Sequence, residues 1–175
     1  GKGGYEVYLE AFSASDGMAV LFSREEKELF DALGAAREIV VHGLKPLLVL
    51  MNKSRKEVSS RFFDTMLASY LINPLRKEYG LDGLLEEFLD KELSEGDLGE
   101  VLQERAFLLH ELKDVLLRKM DEDGLLDLFV KVEMPLVEVL ADIEFHGVKV
   151  DRQILLGLSK EFDKIKAEED EAYKK

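Results

Sequence analysis

The sequence predicts an α/β fold, a sheet flanked by helices and followed by a helical segment. Three observations carry that expectation. Apolar, β-prone runs at Tyr5–Phe12, Met18–Phe22, Glu38–His42 and Val58–Phe63 alternate with helical patterns in the first half of the chain. Glu38–His42 is continuously apolar at its centre, as expected of a strand covered on both faces. Beyond Pro74 the strand signals cease, and apolar residues recur at the three-and-four spacing of helices.

In chain order, Gly1 to Gly4 reads as a linker end. Tyr5–Phe12 and Met18–Phe22 read as a hairpin around the turn chemistry of Ser13 to Gly17. Ser23 opens a helix, with Glu26 completing a capping box, Leu29, Phe30 and Leu33 facing inward, and Gly34 stopping it. After the Glu38–His42 strand, Leu44 to Met51 reads as a helix that tolerates Pro46 in its first turn. The strand Val58–Phe63 leads into a helix that starts at Asp64 and runs to about Asn73. Leu81–Leu89 is a short amphipathic helix. Asp97 to Met120 is a long one, whose broad apolar face includes Leu102, Phe107, Leu109, Leu112 and Leu116.

Asp121 to Gly124 breaks that helix. Another follows from about Leu125 to Phe145, and Pro135 inside it predicts a kink or break near Lys131. A turn at His146-Gly147 precedes a last helix from Asp151, striped by Ile154, Leu155, Leu158, Phe162 and Ile165. The stripe is nearly spent by Ala167, so a larger protein is expected to continue from here.

A chain of 175 residues is long enough to bury one real core and carry an appendage. No cysteine is present, which excludes disulfides and thiolate metal sites, and three scattered histidines exclude a His-rich zinc site. Two Asn and two Gln against many Glu, Lys and Leu suggest a thermophilic source. No stretch is long enough to cross a bilayer and no secretory signal opens the chain, so a cytoplasmic location without membrane partners is expected. The net charge of −13 makes the chain a poor stand-alone nucleic-acid binder. A carboxylate cluster holding divalent metals would reverse that sign locally.

Asp64 is the first candidate for chemistry. It lies where a strand becomes a helix, with Met66, Leu67, Tyr70 and Leu71 on one face behind it. Its carboxylate is placed to cap the orphan N–H groups at the positive end of the helix dipole, and on spacing alone a cap is the plainer role. The stretch Phe63-Asp64-Thr65-Met66-Leu67, with Ser69-Tyr70, resembles the second motif of the 3′–5′ exonuclease domain of family A DNA polymerases. The stretch from Val132 to Asp151 resembles the junction where that domain passes into the polymerase thumb. Glu133-Met134-Pro135-Leu136, Ile143-Glu144 and Gly147-Val148-Lys149-Val150-Asp151 carry that likeness. Together the two resemblances cover nearly the whole chain.

The resemblance implies an RNase H-like mixed sheet flanked by helices over residues 5–128. It also implies a helical junction and the beginning of the thumb over residues 129–175. Its implied partners are the rest of a polymerase chain (thumb, palm and fingers) and, through the intact polymerase, DNA in replication or repair. The family's nuclease uses two divalent metals, Mg²⁺ or Mn²⁺, to generate a hydroxide and stabilise the leaving oxygen. Its ligands are an Asp-x-Glu on the first strand, the second-motif Asp and a Tyr-x-x-x-Asp on a later helix. Here Glu10 matches the Glu but Tyr8 replaces the Asp, Asp64 is present, Arg105 falls at the Tyr and Leu109 at the last Asp.

Two carboxylates of four remain. The expected function is therefore a vestigial proofreading domain that serves as scaffold, with Glu10 and Asp64 as remnant ligands and no metal or other cofactor. Tyr8 and Leu109 are expected to close the former cleft by packing. The alternative is an active two-metal 3′–5′ exonuclease with altered ligands, which would bind Mg²⁺ or Mn²⁺. A protein-interaction module unrelated to polymerases is a third class, and the junction motif argues against it.

No neighbour rescues the site on spacing. Glu111 lies about 200° around the helix from Leu109, and the pair His110 and Asp114 is one residue too close for the superfamily's histidine variant. Lys53, Arg55, Lys56 and Arg61 form a basic patch, most simply a solvated loop. The acidic tail Glu168 to Glu171 is read as a solvated helix face.

Overall fold

The computed structural model describes residues 13–14, 26–91, 96, 98–149 and 151–172. The expected strands Tyr5–Phe12 and Met18–Phe22, the Ser23 cap, and the site residues Tyr8 and Glu10 lie outside the described residues. The sheet is mixed and three-stranded, in the order β1 (Ser13–Ala14), β2 (Glu38–Val41), β3 (Arg61–Asp64). β1 runs antiparallel to β2, with Ser13 opposite Val40 and Ala14 opposite Ile39. β2 and β3 are parallel, in a register that sets Val40 opposite Phe63 and Val41 opposite Asp64. Parallel strands need a crossover, and the helix α2 (Leu44–Ser54) supplies it.

Two strand expectations change. Ser13 and Ala14 were expected in a turn, yet they pair with β2, because a sheet edge in reach outweighs the weak strand preference of small residues. β3 begins at Arg61 rather than Val58. Pairing starts only where the Arg61 N–H donates to the Arg37 carbonyl at 3.0 Å. Ser60 just before it is drawn off the ladder, its hydroxyl donating to the Leu33 carbonyl at 2.8 Å.

Alternation along the strands divides the core between two faces. Ile39 and Val41 face α1 (Glu26–Ala35) and α2, meeting Leu29, Leu33, Leu44 and Leu47. Val40 and Phe63 face the other way. There they meet α3 (Thr65–Ile72) at Ala68, α4 (Leu81–Leu89) at Leu84 and Leu85, and α5 (Leu98–Glu122) at Leu109, Leu112 and Leu116. The 25 residues of α5 span about 37 Å. Its buried stripe runs through Leu102, Leu109, Leu112, Leu116 and Met120. Phe107, expected on the apolar face, is exposed, because it lies about 200° around the helix from Leu109.

Pro135 acts where the sequence placed its effect. The short helix α6 (Leu126–Leu128) widens into a π-helical turn, Phe129–Glu133, before α7 (Met134–His146) resumes regular pitch. Proline has no N–H to reach the Lys131 carbonyl and its ring crowds that group, and the wider turn relieves both. The turn seats Phe129 in the core at 5.0 Å from the Phe63 ring.

One compact unit ends at Phe145 and a second begins at His146. The second contains Gly147 at φ 70° and the helix α8 (Arg152–Ala172). Asp151 caps α8 by accepting from the Gln153 N–H at 2.9 Å and the Ile154 N–H at 3.3 Å. Among the described residues, no helix is long and apolar enough to cross a membrane.

The core reading has a direct test. Leu112 is fully buried in the larger cluster. Truncating such a leucine leaves a cavity, so Leu112→Ala should lower unfolding free energy by about 2–5 kcal/mol in denaturant titration. Phe107→Ala, at an exposed position of the same helix, should change it by less than about 1 kcal/mol.

Candidate functional site

The two parallel strands end side by side, and each feeds a helix. After β2 the chain turns at Gly43, whose φ of 86° is a left-handed conformation that glycine adopts without a Cβ clash, and α2 begins at Leu44. After β3, Asp64 keeps extended geometry and α3 begins at Thr65. The N-termini of α2 and α3 therefore meet at Asp64.

Its carboxylate is almost fully buried and accepts four backbone N–H groups. Oδ1 accepts from Gly43 at 2.9 Å, Met66 at 2.9 Å and Leu67 at 3.3 Å. Oδ2 accepts from Leu44 at 2.7 Å. A helix N-terminus leaves N–H groups without partners and carries partial positive charge, so one carboxylate answers the needs of both helices. The expected strand-to-helix capping role of Asp64 is present, doubled by a second helix that spacing did not reveal.

Three further residues complete the junction, and the sequence reading missed them. His42 Nε2 lies 2.8 Å from the Tyr79 carbonyl, which only accepts, so this nitrogen carries a proton. His42 Nδ1 meets the Thr65 hydroxyl at 2.9 Å, and that hydroxyl lies 3.1 Å from the Val41 carbonyl. Tyr79 stacks edge-on against Tyr70, with ring centroids 5.7 Å apart. A histidine followed by glycine at the end of a buried strand was the one available signal.

The remaining site positions lie elsewhere. Arg105 on α5 reaches α4, its guanidinium 2.7 Å from the Asp82 carboxylate. Leu109, one turn on, is fully buried in the cluster that holds Phe63. β3 alternation puts Asp64 on the face opposite Phe63, so Leu109 and the Asp64 carboxylate belong to different layers. Lys113, a further turn on, pairs with Glu38 and sits 5.7 Å from the centre of the Phe63 ring.

The α5 positions 105, 109 and 113, each about one turn apart, are thus cation, leucine, cation. Divalent metals need unspent, negatively charged oxygens. Backbone N–H groups bond Asp64 Oδ1 three times and Oδ2 once, and no cluster of three or more His, Asp or Glu able to hold a metal occurs among the described residues.

This architecture is a helix-rich α/β domain built on a mixed three-stranded sheet. It matches a solved nuclease in its apo form with a TM-score of 0.58 at 18% identity, over 74% of this chain and 70% of that one. The POL domain of Pol1 from M. smegmatis, solved in complex with DNA primer-template and dNTP, matches with a TM-score of 0.64 at 27% identity. That match covers 82% of this chain and 25% of that one. No protein-family model matches the chain.

DNA polymerase I of Caldicellulosiruptor bescii is 30% identical over 128 residues, which is 71% of this chain. DNA polymerase I of Helicobacter pylori is 30% identical over 138 residues, and that of Bacillus subtilis 32% over 111. The chain is a homologue of bacterial DNA polymerase I over most of its own length. It spans only 13–15% of the length of these relatives.

Asp64→Ala should cost about 2–4 kcal/mol in denaturant unfolding, since two helix caps lose their acceptor at once. Asp64→Asn, which keeps one acceptor oxygen, should lose less. Leu109→Asp should destabilise at least as much as truncation, by about 2–5 kcal/mol, because it buries a charge among leucines.

Proposed function

We propose that this chain is the exonuclease-like segment of a family A DNA polymerase in which the proofreading site is vestigial and the domain serves as scaffold. In this reading residues 5–128 form an RNase H-like domain, and residues 129–175 form the helical junction and the beginning of a thumb. Its partners are the remaining polymerase elements and, through them, the DNA handled in replication or repair. Homology to DNA polymerase I over 71% of the chain supports the assignment to a polymerase. The mixed α/β sheet and the likeness to a solved nuclease support the domain type.

The observation that carries the loss of chemistry is the state of the Asp64 carboxylate. It holds four backbone N–H groups of two helices. An oxygen committed in this way has little density left for Mg²⁺ or Mn²⁺, and moving it would uncap both helices. The apolar Leu109 and the flanking Arg105 and Lys113 add no ligand. Of the remnant pair, Glu10 and Asp64, the latter is thus retained for folding rather than for catalysis.

The proposal predicts that the chain does not shorten a 3′-labelled single-stranded DNA in Mg²⁺ or Mn²⁺, and that calorimetry detects no pair of Mn²⁺ sites. The same assays on Asp64→Ala, compared at a temperature where that variant is folded, give the decisive contrast. A 3′ end trimmed by the natural sequence and spared by the variant would establish an active two-metal nuclease and overturn the scaffold reading.

A further inference from the structure

The proposed scaffold makes no use of the basic patch singled out from the sequence. The structure gathers its four residues at one edge and adds a fifth. Arg61 opens β3 with its N–H on the Arg37 carbonyl at 3.0 Å, so Arg37 and Arg61 stand side by side where the parallel strands begin. The crossover helix α2 returns toward that edge and delivers Lys53 in its last turn, with Arg55 and Lys56 just beyond. All five side chains are exposed. Residues 37–61 carry six Lys or Arg against two Glu, within a chain of net charge −13. One of the two acids, Glu38, is already held by Lys113.

The end of a helix attracts cations to its negative dipole, and that accounts for Lys53 and Lys56. It does not account for Arg37 and Arg61, which stand at the strand starts. Arg55 itself takes a left-handed conformation, φ 52° and ψ 42°, that ends α2 through the Arg55 N–H to the Asn52 carbonyl and the Lys56 N–H to the Met51 carbonyl. This left-handed position after a helix is one that glycine or asparagine fills with least strain. The chain instead holds a long, exposed cation there, next in sequence to Lys53 and Lys56.

We infer that this edge is a docking surface for the phosphate backbone of a DNA strand. Charge complementarity makes the partner a polyanion. The choice of DNA over another polyanion rests on the polymerase reading given above. The surface is separate from the former active site, since β3 places about 10 Å of strand between Arg61 and Asp64. A strand bound here is positioned, not cut. Contacts of this kind carry no base readout, so the edge binds DNA without sequence preference.

The test is fluorescence anisotropy of a labelled oligo-dT with the 175-residue chain in EDTA, titrated at rising salt. Binding should be measurable at about 50 mM salt and should fade toward physiological salt. Four or five neutralised phosphates give a slope of log affinity on log salt of about −3. Arg55→Gly should weaken binding and flatten that slope by about 0.7, while holding or raising the thermal midpoint because the left-handed position suits glycine. Arg61→Ala should weaken binding to a similar extent. Lys131→Ala, which removes a cation paired with Asp127 outside the patch, should leave binding unchanged.

Absence of binding at about 50 mM salt, or an Arg55→Gly variant with unaltered affinity, would overturn the inference. An acidic polypeptide that binds the same edge as tightly would overturn it in favour of a protein partner. The nuclease assay reads trimming rather than retention, so its result stands apart from this one.

Discussion

One carboxylate that caps two helices is the constraint on which the rest of the structure depends. β2 and β3 run parallel and end in register, with Val41 opposite Asp64, so the helices that follow must start next to each other. α2 packs on the face of Ile39 and Val41, and α3 on the face of Val40 and Phe63. Without an acceptor, two positive helix ends and their orphan N–H groups would be buried at one point. Asp64 supplies that acceptor, ties the layers on both sides of the sheet to the strand ends, and frees the His42–Thr65–Tyr79 contacts to close the outer side. The left-handed turn at Gly43 is part of the same device, because it aims the Gly43 and Leu44 N–H groups back at the carboxylate.

Capping and metal binding make opposing demands on such a group. A cap needs its oxygens turned inward to fixed N–H donors. A metal ligand needs them turned toward a cavity shared with other carboxylates. The Arg105, Leu109 and Lys113 series on α5 belongs with the first arrangement. Arg105 and Lys113 take single carboxylate partners, Asp82 and Glu38, and Leu109 fills the core between them.

Much of the fold was legible because its elements are specified locally. The helix Leu81–Leu89, the crossover after His42 and the start of α3 at Asp64 follow from periodicity and capping, which act within a few residues. What was not legible depends on contacts distant in sequence. Ser13 and Ala14 become a strand only because an edge of β2 lies beside them. Val58 to Ser60 leave the ladder because the Ser60 hydroxyl is drawn to carbonyls that close α1. The Asp64 capping role could be read from its own helix, whereas its bonds to Gly43 and Leu44 span about twenty residues of chain and required the strand register. The same holds for the basic edge, whose members Arg37 and Arg61 are neighbours only through the sheet.

The junction segment shows how a sequence motif can owe its residues to packing. Pro135 denies the helix one backbone bond at Lys131, and the chain answers with the π-helical turn Phe129–Glu133. That turn rotates Phe129 inward against Phe63, the residue that precedes Asp64 on β3. Met134, immediately before the proline, packs against both apolar clusters, and Val137 and Ala141 continue the inward stripe of α7. Leu136, Val139, Leu140 and Ile143 occupy the other side of the same helix and stay exposed. A regular helix through this stretch would carry the downstream stripe out of phase with the core, because each residue turns it by about 100°. The extra residue in the π-turn resets that phase. The Met-Pro pair thereby fixes which face of α7 is buried and which remains open.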